Sequence, residues 1–453
     1  MFIRAHLWLI KFMKATCRKA KTVIRLWPGV MLILVMGINT MVAAAKPEFK
    51  PVPAQLFRQR DGLGNVVAKL KAGKEVRIAY FGGSITAAGG WRPKTLKWFQ
   101  DNYPQAKISE INAAIGGTGS DLGVYRFQQD VLRHKPDLIF VEFSVNDGGA
   151  SPENIWRGME GIIRQAWKAD PTIDICYVYT FAVGQEKDLD QGFAARAASS
   201  DEILADYYGI PSINMAMRTA ELARAGKLLY TPKKDEAGKE ISVPEGVILF
   251  STDGVHPLDA GHQVYTDVIT DAFKQIALAS RPGPHTLKPP FIEDNWEQAK
   301  LVPLEPWMLS AGWKKLNTTE GLGKNFQNRL PEIWEATMPG EKISFKFKGT
   351  AVKLYDLMGP DAGQAVCTVD EKTNRPQSRF DRFSSYHRLA SLSIADGLAH
   401  TVHTITVEVH PDQPDRSIVV NEEKAKPGFD LKKYEGTVLR VGSIMIIGDI
   451  IRE

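Results

Sequence analysis

Between residue 76 and about residue 279, short apolar runs alternate with stretches in which apolar residues recur every three or four positions. Residues 76–81 (Val-Arg-Ile-Ala-Tyr-Phe), 108–115, 137–143 and 173–180 predict strands. The intervening stretches 91–102, 121–133 and 152–168 predict helices, the last with Ile155, Met159, Ile162, Ile163 and Trp167 on one face. Residues 193–208 and 257–280 predict the later helices, and the charged, Gly-containing stretch 233–243 predicts an exposed loop. Strand and helix in alternation argue for an α/β fold, a parallel sheet covered on both faces.

Near Arg281-Pro282-Gly283-Pro284 the pattern changes, and Pro289-Pro290 prolongs the break, which predicts a linker. Beyond it no helical period is read. Residues 342–347, 404–409 and 438–441 alternate apolar with polar, separated by Gly, Pro and Asp clusters, as in an antiparallel β-sandwich. The expected segmentation is therefore an N-terminal segment at 1–45, an α/β domain at 46–285 and a β-sandwich domain at 286–453.

Composition adds limits. The chain has 453 residues, 44% hydrophobic and 24% charged, which fits a globular protein of two or more domains. Its net charge of +5 is misleading, because residues 1–45 hold seven basic side chains (Arg4, Lys11, Lys14, Arg18, Lys19, Lys21, Arg25) and no acidic one. Without them, 50 of the 57 basic residues face all 52 acidic ones, a net of −2, so charge gives no argument for nucleic acid. The same leader continues into the apolar run Val30–Met36 and Ala43-Ala44-Ala45 before Lys46, the order of an export signal. Lys46 is expected near the mature N-terminus, in a periplasmic or extracellular protein; an uncleaved anchor is the competing reading. Met13 is an alternative start. Cys17 falls in the leader, and Cys176 and Cys367 show neither metal-ligand nor disulfide-framework spacing, so both are expected as buried free thiols.

Four separated segments carry polar groups at strand ends: Gly82-Gly83-Ser84-Ile85, residues 112–117, Asn146-Asp147 and Asp253-Gly254-Val255-His256-Pro257. Ser84 follows an apolar strand through two glycines that permit a sharp turn, which suits a nucleophile at the carboxyl end of the sheet and suits a helix N-cap as well. A serine hydroxyl attacks poorly until an imidazole takes its proton, and the imidazole needs an acceptor to fix its tautomer. Asp253 and His256, three residues apart, meet that need locally, although Asp-Gly is also an ordinary turn. Asn146 and Gly117 can donate a side-chain and a backbone N–H to an oxyanion, with simple turn chemistry as the alternative. His262, along the next predicted helix, reads as structural.

Taken in order, the four blocks resemble those of the SGNH, or GDSL-type, hydrolase superfamily, over roughly residues 76–279. The resemblance implies a flavodoxin-like three-layer α/β/α catalytic domain and roles for matching positions: Ser84 as nucleophile and first oxyanion donor, Gly117 and Asn146 as further donors, His256 as base and Asp253 as its partner. Gly116 is the neighbouring alternative to Gly117. One departure stands out, since Gly83 occupies the position of the Asp that precedes serine in the name-giving motif. Lys348-Gly349-Thr350-Ala351 and the strand pattern around it resemble, more weakly, the jelly-roll modules of secreted carbohydrate esterases. Trp307, Trp313, Trp334, Tyr355 and Tyr386 are aromatics that could stack on sugar or fill a core. The expectation is an exported O-acyl esterase, chiefly an O-acetylesterase, with an acetylated glycan as partner. No metal or organic cofactor is required, and no nucleic acid or stable membrane insertion after cleavage is expected. The competing readings are a lipase-like or lysophospholipase-like esterase, an inactive carbohydrate-binding protein and a tethered cell-envelope protein.

Overall fold

Six short strands form the first sheet of the computed structural model, which describes residues 47–452: β1 (Phe57–Arg58), β2 (Glu75–Gly82), β3 (Lys107–Asn112), β4 (Leu138–Glu142), β5 (Asp174–Tyr179) and β6 (Ser212–Asn214). The leader expected at 1–45 lies outside the described residues. Across the sheet the order is β1-β6-β5-β4-β2-β3, with β2 to β6 parallel and β1 antiparallel to β6. Apart from β1 this is the flavodoxin-like order, whose switch point lies between β2 and β4. β2, β4, β5 and β6 are buried along most or all of their length because both faces of the sheet are covered, whereas the edge strand β3 buries only Ile108 and Ile111. Successive residues alternate between two cores, with Ala79, Phe81, Ile139, Val141 and Tyr177 on one side and Ile78, Tyr80, Leu138, Phe140 and Cys176 on the other.

The covering helices are α1 (Gly64–Lys71), α2 (Ser84–Ala87), α3 (Trp91–Asn102), α4 (Ser120–Asp130), α5 (Pro152–Ala169), α6 (Glu186–Asp190), α7 (Arg196–Tyr208), α8 (Met215–Arg224) and α9 (Asp259–Ala279). Local chemistry sets their limits. At the start of α5 the Ser151 hydroxyl accepts the Asn154 N–H at 3.3 Å and Pro152 takes the first turn. α7 starts three residues later than its pattern suggests, because the chain at Phe193–Ala194 is tied to the N-terminal strand region by Ala194 N–H donating to Val52 O. α4 is also shorter than expected and gives way to one 3₁₀ turn at Leu132–His134.

In the second half β7 (Ala299–Pro303), β8 (Trp334–Ala336), β9 (Lys342–Met358), β10 (Gln364–Val369), β11 (Arg388–Ala395), β12 (Thr401–Val409) and β13 (Leu439–Ile451) pair antiparallel. β9 is shared: its first half pairs with β12, its second half with β11, and β13 runs along much of its length. Register shifts at Val352/Lys353 and Gly349/Ala351 mark where it bends between the layers. Phe345, Phe347, Leu354, Ile405, Val407, Ile444 and Ile446 fill the space between them. Two helices, Gly321–Phe326 and Ser417–Glu423, interrupt this region where none was expected; at six and seven residues they are too short to show a period.

Alternation in β9 ends after Thr350, since its second half is buried on both faces. The outer face, with Ala351, Tyr355 and Leu357 beside Met445 and Ile447 of β13, joins the core formed by Leu122, Tyr125, Ile155 and Met159 of α4 and α5. Residues from Pro47 onward accordingly form one compact unit. The expected linker is strapped down rather than free. Asn65 Nδ2 donates to Gly283 O, His285 N–H to Pro171 O, and the Phe291 and Ile292 N–H groups to the buried Glu160 carboxylate.

Candidate active site

β2 delivers Ser84 through a backbone too crowded for side chains. A Cβ on Gly82 would lie 2.5 Å from Glu142 O, and one on Gly83 would lie 1.9 Å from Asn146 Oδ1. Ser84 opens α2 at the switch point between β2 and β4. It does not cap the helix: Gly83 is the N-cap, with no side-chain cap bond, and Ser84 Oγ lies 2.7 Å from His256 Nε2.

His256 comes from the turn between the short strand Ile248–Leu249 and α9. Asp253 Oδ1 accepts the N–H groups of Val255 and His256 at 2.9 and 2.8 Å and the Ser251 hydroxyl at 2.8 Å. Its Oδ2 lies 2.6 Å from His256 Nδ1. The three-residue spacing thus lets one carboxylate build the turn and orient the ring. Burial opposes the Asp253 charge, but hydrogen bonds from the His256 ring, the His256 and Val255 N–H groups and Ser251 outweigh it and hold the carboxyl well below the usual range. The side chains of His256 and Asp253 are 49% and 52% exposed, so the site opens directly to solvent.

Past β3 the backbone follows β2 for three more residues, Ala113 N–H donating to Tyr80 O and Ile115 N–H to Gly82 O, each at 3.0 Å. The expected strand 108–115 is regular only as far as Asn112, although single backbone bonds to β2 continue to Ile115. A Cβ on Gly116 would stand 3.6 Å from Ser84 Cβ; Gly117 has φ +72°, and no heavy atom lies within 4 Å of its Cβ position. Asn146 opens the 3₁₀ turn Asn146–Gly149 after β4, its amide against Gly83. The fold therefore gathers Ser84, Gly116, Gly117, Asn146, Asp253 and His256 at the carboxyl ends of β2, β3 and β4.

Several supporting residues were not legible beforehand. Asp147, buried, accepts the Ser120 N–H at 3.0 Å across a separation of 27 residues and fills the space a side chain on Gly119 would need. Burial pushes its carboxyl up to about 7, against the pull of the Ser120 hydrogen bonds. Glu142, fully buried at the end of β4, accepts the hydroxyls of Thr86 and Thr180 at 2.8 and 2.7 Å and is likewise pushed by burial to about 7. A lone acidic residue ending an apolar run was its one sequence signal.

Other expectations find their places. His262 is buried, its Nδ1 accepts the Trp91 N–H at 3.2 Å, and burial pushes it down to about 4. Cys176 and Cys367 are buried free thiols. Among the aromatics, Trp313 and Tyr355 are buried and Trp334 half-buried, while Trp307 and Tyr386 are 49% and 58% exposed. The loop 233–243 is largely exposed. Among the described residues, no helix is long and apolar enough to cross a membrane.

A serine, an imidazole and a carboxylate thus stand in hydrogen-bonded series at the switch point of a flavodoxin-like sheet, with a glycine pair and an asparagine amide alongside, an arrangement in which a hydroxyl can be activated as a nucleophile. Residues 80–264 match the GDSL-like Lipase/Acylhydrolase family, as the four blocks implied. An uncharacterized lipoprotein, YqeF, of Bacillus subtilis (strain 168) is 32% identical over 82 residues, 17% of this chain and 34% of that protein. That match spans about a third of the relative's length. The crystal structure of a two-domain esterase active on acetylated mannans, co-crystallized with mannopentaose, is similar with a TM-score of 0.66. It is 20% identical, over 87% of this chain and 97% of that one. A second crystal structure described as a two-domain esterase active on acetylated mannans gives the same TM-score and identity over 86% and 97%. The likeness is one of fold, and it extends over the α/β sheet and the antiparallel half together.

Proposed function

We propose that the protein is an exported serine esterase that removes O-acyl groups, O-acetyl foremost, from carbohydrate. The observation that carries the reading is the unbroken series from Ser84 Oγ through His256 to Asp253, at 2.7 and 2.6 Å, beside Asn146 and Gly117. Ser84 Oγ attacks the ester carbonyl carbon while its proton passes to His256 Nε2, and Asp253 stabilises the resulting imidazolium. The Ser84 and Gly117 N–H groups and the Asn146 amide donate to the carbonyl oxygen as it gains charge. On collapse the bond to the sugar oxygen breaks, and His256 returns the proton to that oxygen. Water, deprotonated by His256, then attacks the acyl-enzyme and frees the carboxylic acid and Ser84.

Carbohydrate as the substrate class is supported by the half-exposed triad, which admits an ester on a bulky chain, and by the fold shared with an esterase active on acetylated mannans. In this reading residues 46–285 are catalytic and 286–453 accessory, and the leader directs export. Acetate release from acetylated glycans, measured beside short- and long-chain nitrophenyl esters, tests it. Release by the purified protein that disappears in Ser84→Ala, with folding intact, is the expected result; activity retained in that variant sinks the assignment. Turnover of long-chain esters alone would move the protein to the lipase-like class.

A further inference from the structure

β3 is the outermost strand of the first sheet, so along the continuation past Asn112 the outward carbonyls have no strand to meet. Side chains take them instead. Arg329, in the loop after the helix Gly321–Phe326, donates from Nη2 to Asn112 O at 2.7 Å and lies 3.5 Å from Ala114 O. Its Nη1 lies 3.3 Å from Asp130 Oδ2. That same oxygen accepts from Arg126 Nη1 at 2.9 Å, and Arg126 donates to Ala113 O at 2.5 Å. Two guanidinium groups sharing one carboxylate thus bind the Asn112 and Ala113 carbonyls and approach that of Ala114, two residues before Gly116-Gly117. The Gln129 amide donates to Arg329 O at 2.8 Å and fixes the loop that carries the fork.

Downstream, the Thr118 hydroxyl donates to Ile115 O at 2.9 Å and Asp147 holds Ser120. Between these anchors stands Gly117, left-handed and with open space around its Cβ position. Nothing packed against that position steadies it, so its path follows from the clamps on either side. We propose that Arg329 is a positioning residue, supplied by the C-terminal half of the chain, that sets the direction of the Gly116-Gly117 backbone for oxyanion binding. The inference rests on the esterase reading of the site. Arginine suits the task because its planar fork reaches a carboxylate with one nitrogen and carbonyls with the other, which a lysine ammonium on its flexible stem does not reproduce. The sandwich then acts on the chemistry and not only on the substrate.

Hydrogen exchange and kinetics of the whole chain and its Arg329→Met and Arg329→Lys variants test this. In Arg329→Met, exchange over residues 112–119 should quicken while α5 keeps its protection. With nitrophenyl acetate, kcat should fall roughly tenfold with KM within about twofold, less than the loss on deleting a donor outright because Gly117 is displaced rather than removed. Arg329→Lys should recover only part of the protection and part of the rate. Unchanged exchange over 112–119, or an unchanged kcat in an active protein, overturns the proposal. So does a loss of protection in α5 equal to that at 112–119, which would make Arg329 a general stabiliser. A wild-type protein that hydrolyses no ester sinks the esterase reading instead, and the exchange comparison alone then decides the role of Arg329.

Discussion

Replacing Gly83 by alanine should cost this site its asparagine donor while leaving the fold standing. The added Cβ would lie 1.9 Å from Asn146 Oδ1, 2.7 Å from its Cγ and 3.2 Å from its Nδ2. To reach an ordinary contact near 3.4 Å, the amide must retreat by about 1.5 Å, farther than a hydrogen bond can stretch. Losing one oxyanion donor lowers kcat by about 10²–10³, or ~3–4 kcal/mol in transition-state stabilisation. Stability should change by less than about 1 kcal/mol. Gly83 is extended, with φ −90° and ψ −152°, the displaced atoms are the free end of a half-buried side chain, and alanine reduces the entropy of the unfolded chain. The assay is kcat and KM on nitrophenyl acetate together with a urea midpoint, for Gly83→Ala, Asn146→Ala and the double variant. If the methyl acts through Asn146, the double variant is no slower than Asn146→Ala alone. A Gly83→Ala enzyme within threefold of wild-type kcat, or rate losses that multiply in the double variant, would refute the reasoning. Gly83→Asp, which restores the name-giving motif, should be slower still, because it adds a carboxylate to the same displacement.

Asp253→Asn should lower kcat by about 10⁴ with little change in folding, since the amide no longer selects the ring tautomer that leaves Nε2 free to take the serine proton; a loss under tenfold would exclude that role. Because hydrogen bonds hold the Asp253 carboxyl well below its usual range, the pH profile of kcat should show no step from this carboxylate down to pH 4; a step above pH 4 that vanishes in Asp253→Asn would exclude this. Asp147 gives an opposite pH signature in stability. Its folded carboxyl titrates near 7 against an ordinary 3.8, so the folded state holds the proton more tightly and the stability it contributes is complete below about pH 4 and lost as pH rises to 7. Asp147→Asn, which cannot ionise, should therefore gain on wild type in urea midpoint between pH 5 and pH 8; a difference independent of pH would exclude the buried, protonated acid. His262→Leu should be tolerated poorly although the residue is buried, because the Trp91 N–H loses its acceptor, at about 1–3 kcal/mol by thermal unfolding.

Much of this molecule could be read from one dimension. Runs such as 137–143 and 173–180 are apolar on both faces, which only a doubly covered parallel sheet explains, and α3 (Trp91–Asn102) begins and ends where its periodicity does. The Asp253–His256 pair was legible because its chemistry is local: a turn brings carboxylate and imidazole together at a spacing of three. Ser84 was legible from its own segment as a cap or a nucleophile, and only the four blocks taken together favoured the nucleophile. The meeting of Ser84 with His256 across 172 residues belongs to the tertiary structure. So does the companion of the Gly83 departure, since the missing side chain and Asn146 occupy one volume though they are 63 positions apart. The linker and the sandwich illustrate the limit from the other side. Proline and glycine clusters truthfully signal irregular backbone, but not that the segment is bound to Asn65, Pro171 and Glu160. Alternating strands signal a buried face, but not that a second face closes over α4 and α5, or that Arg329 reaches from there to the carbonyls before Gly117. Periodicity and turn chemistry act between neighbours in the chain, so the sequence alone determined most of the longer elements of the α/β half and the local dyad. Which edge lacks a partner, and which distant side chain completes it, depends on distances that exist only once the chain has packed.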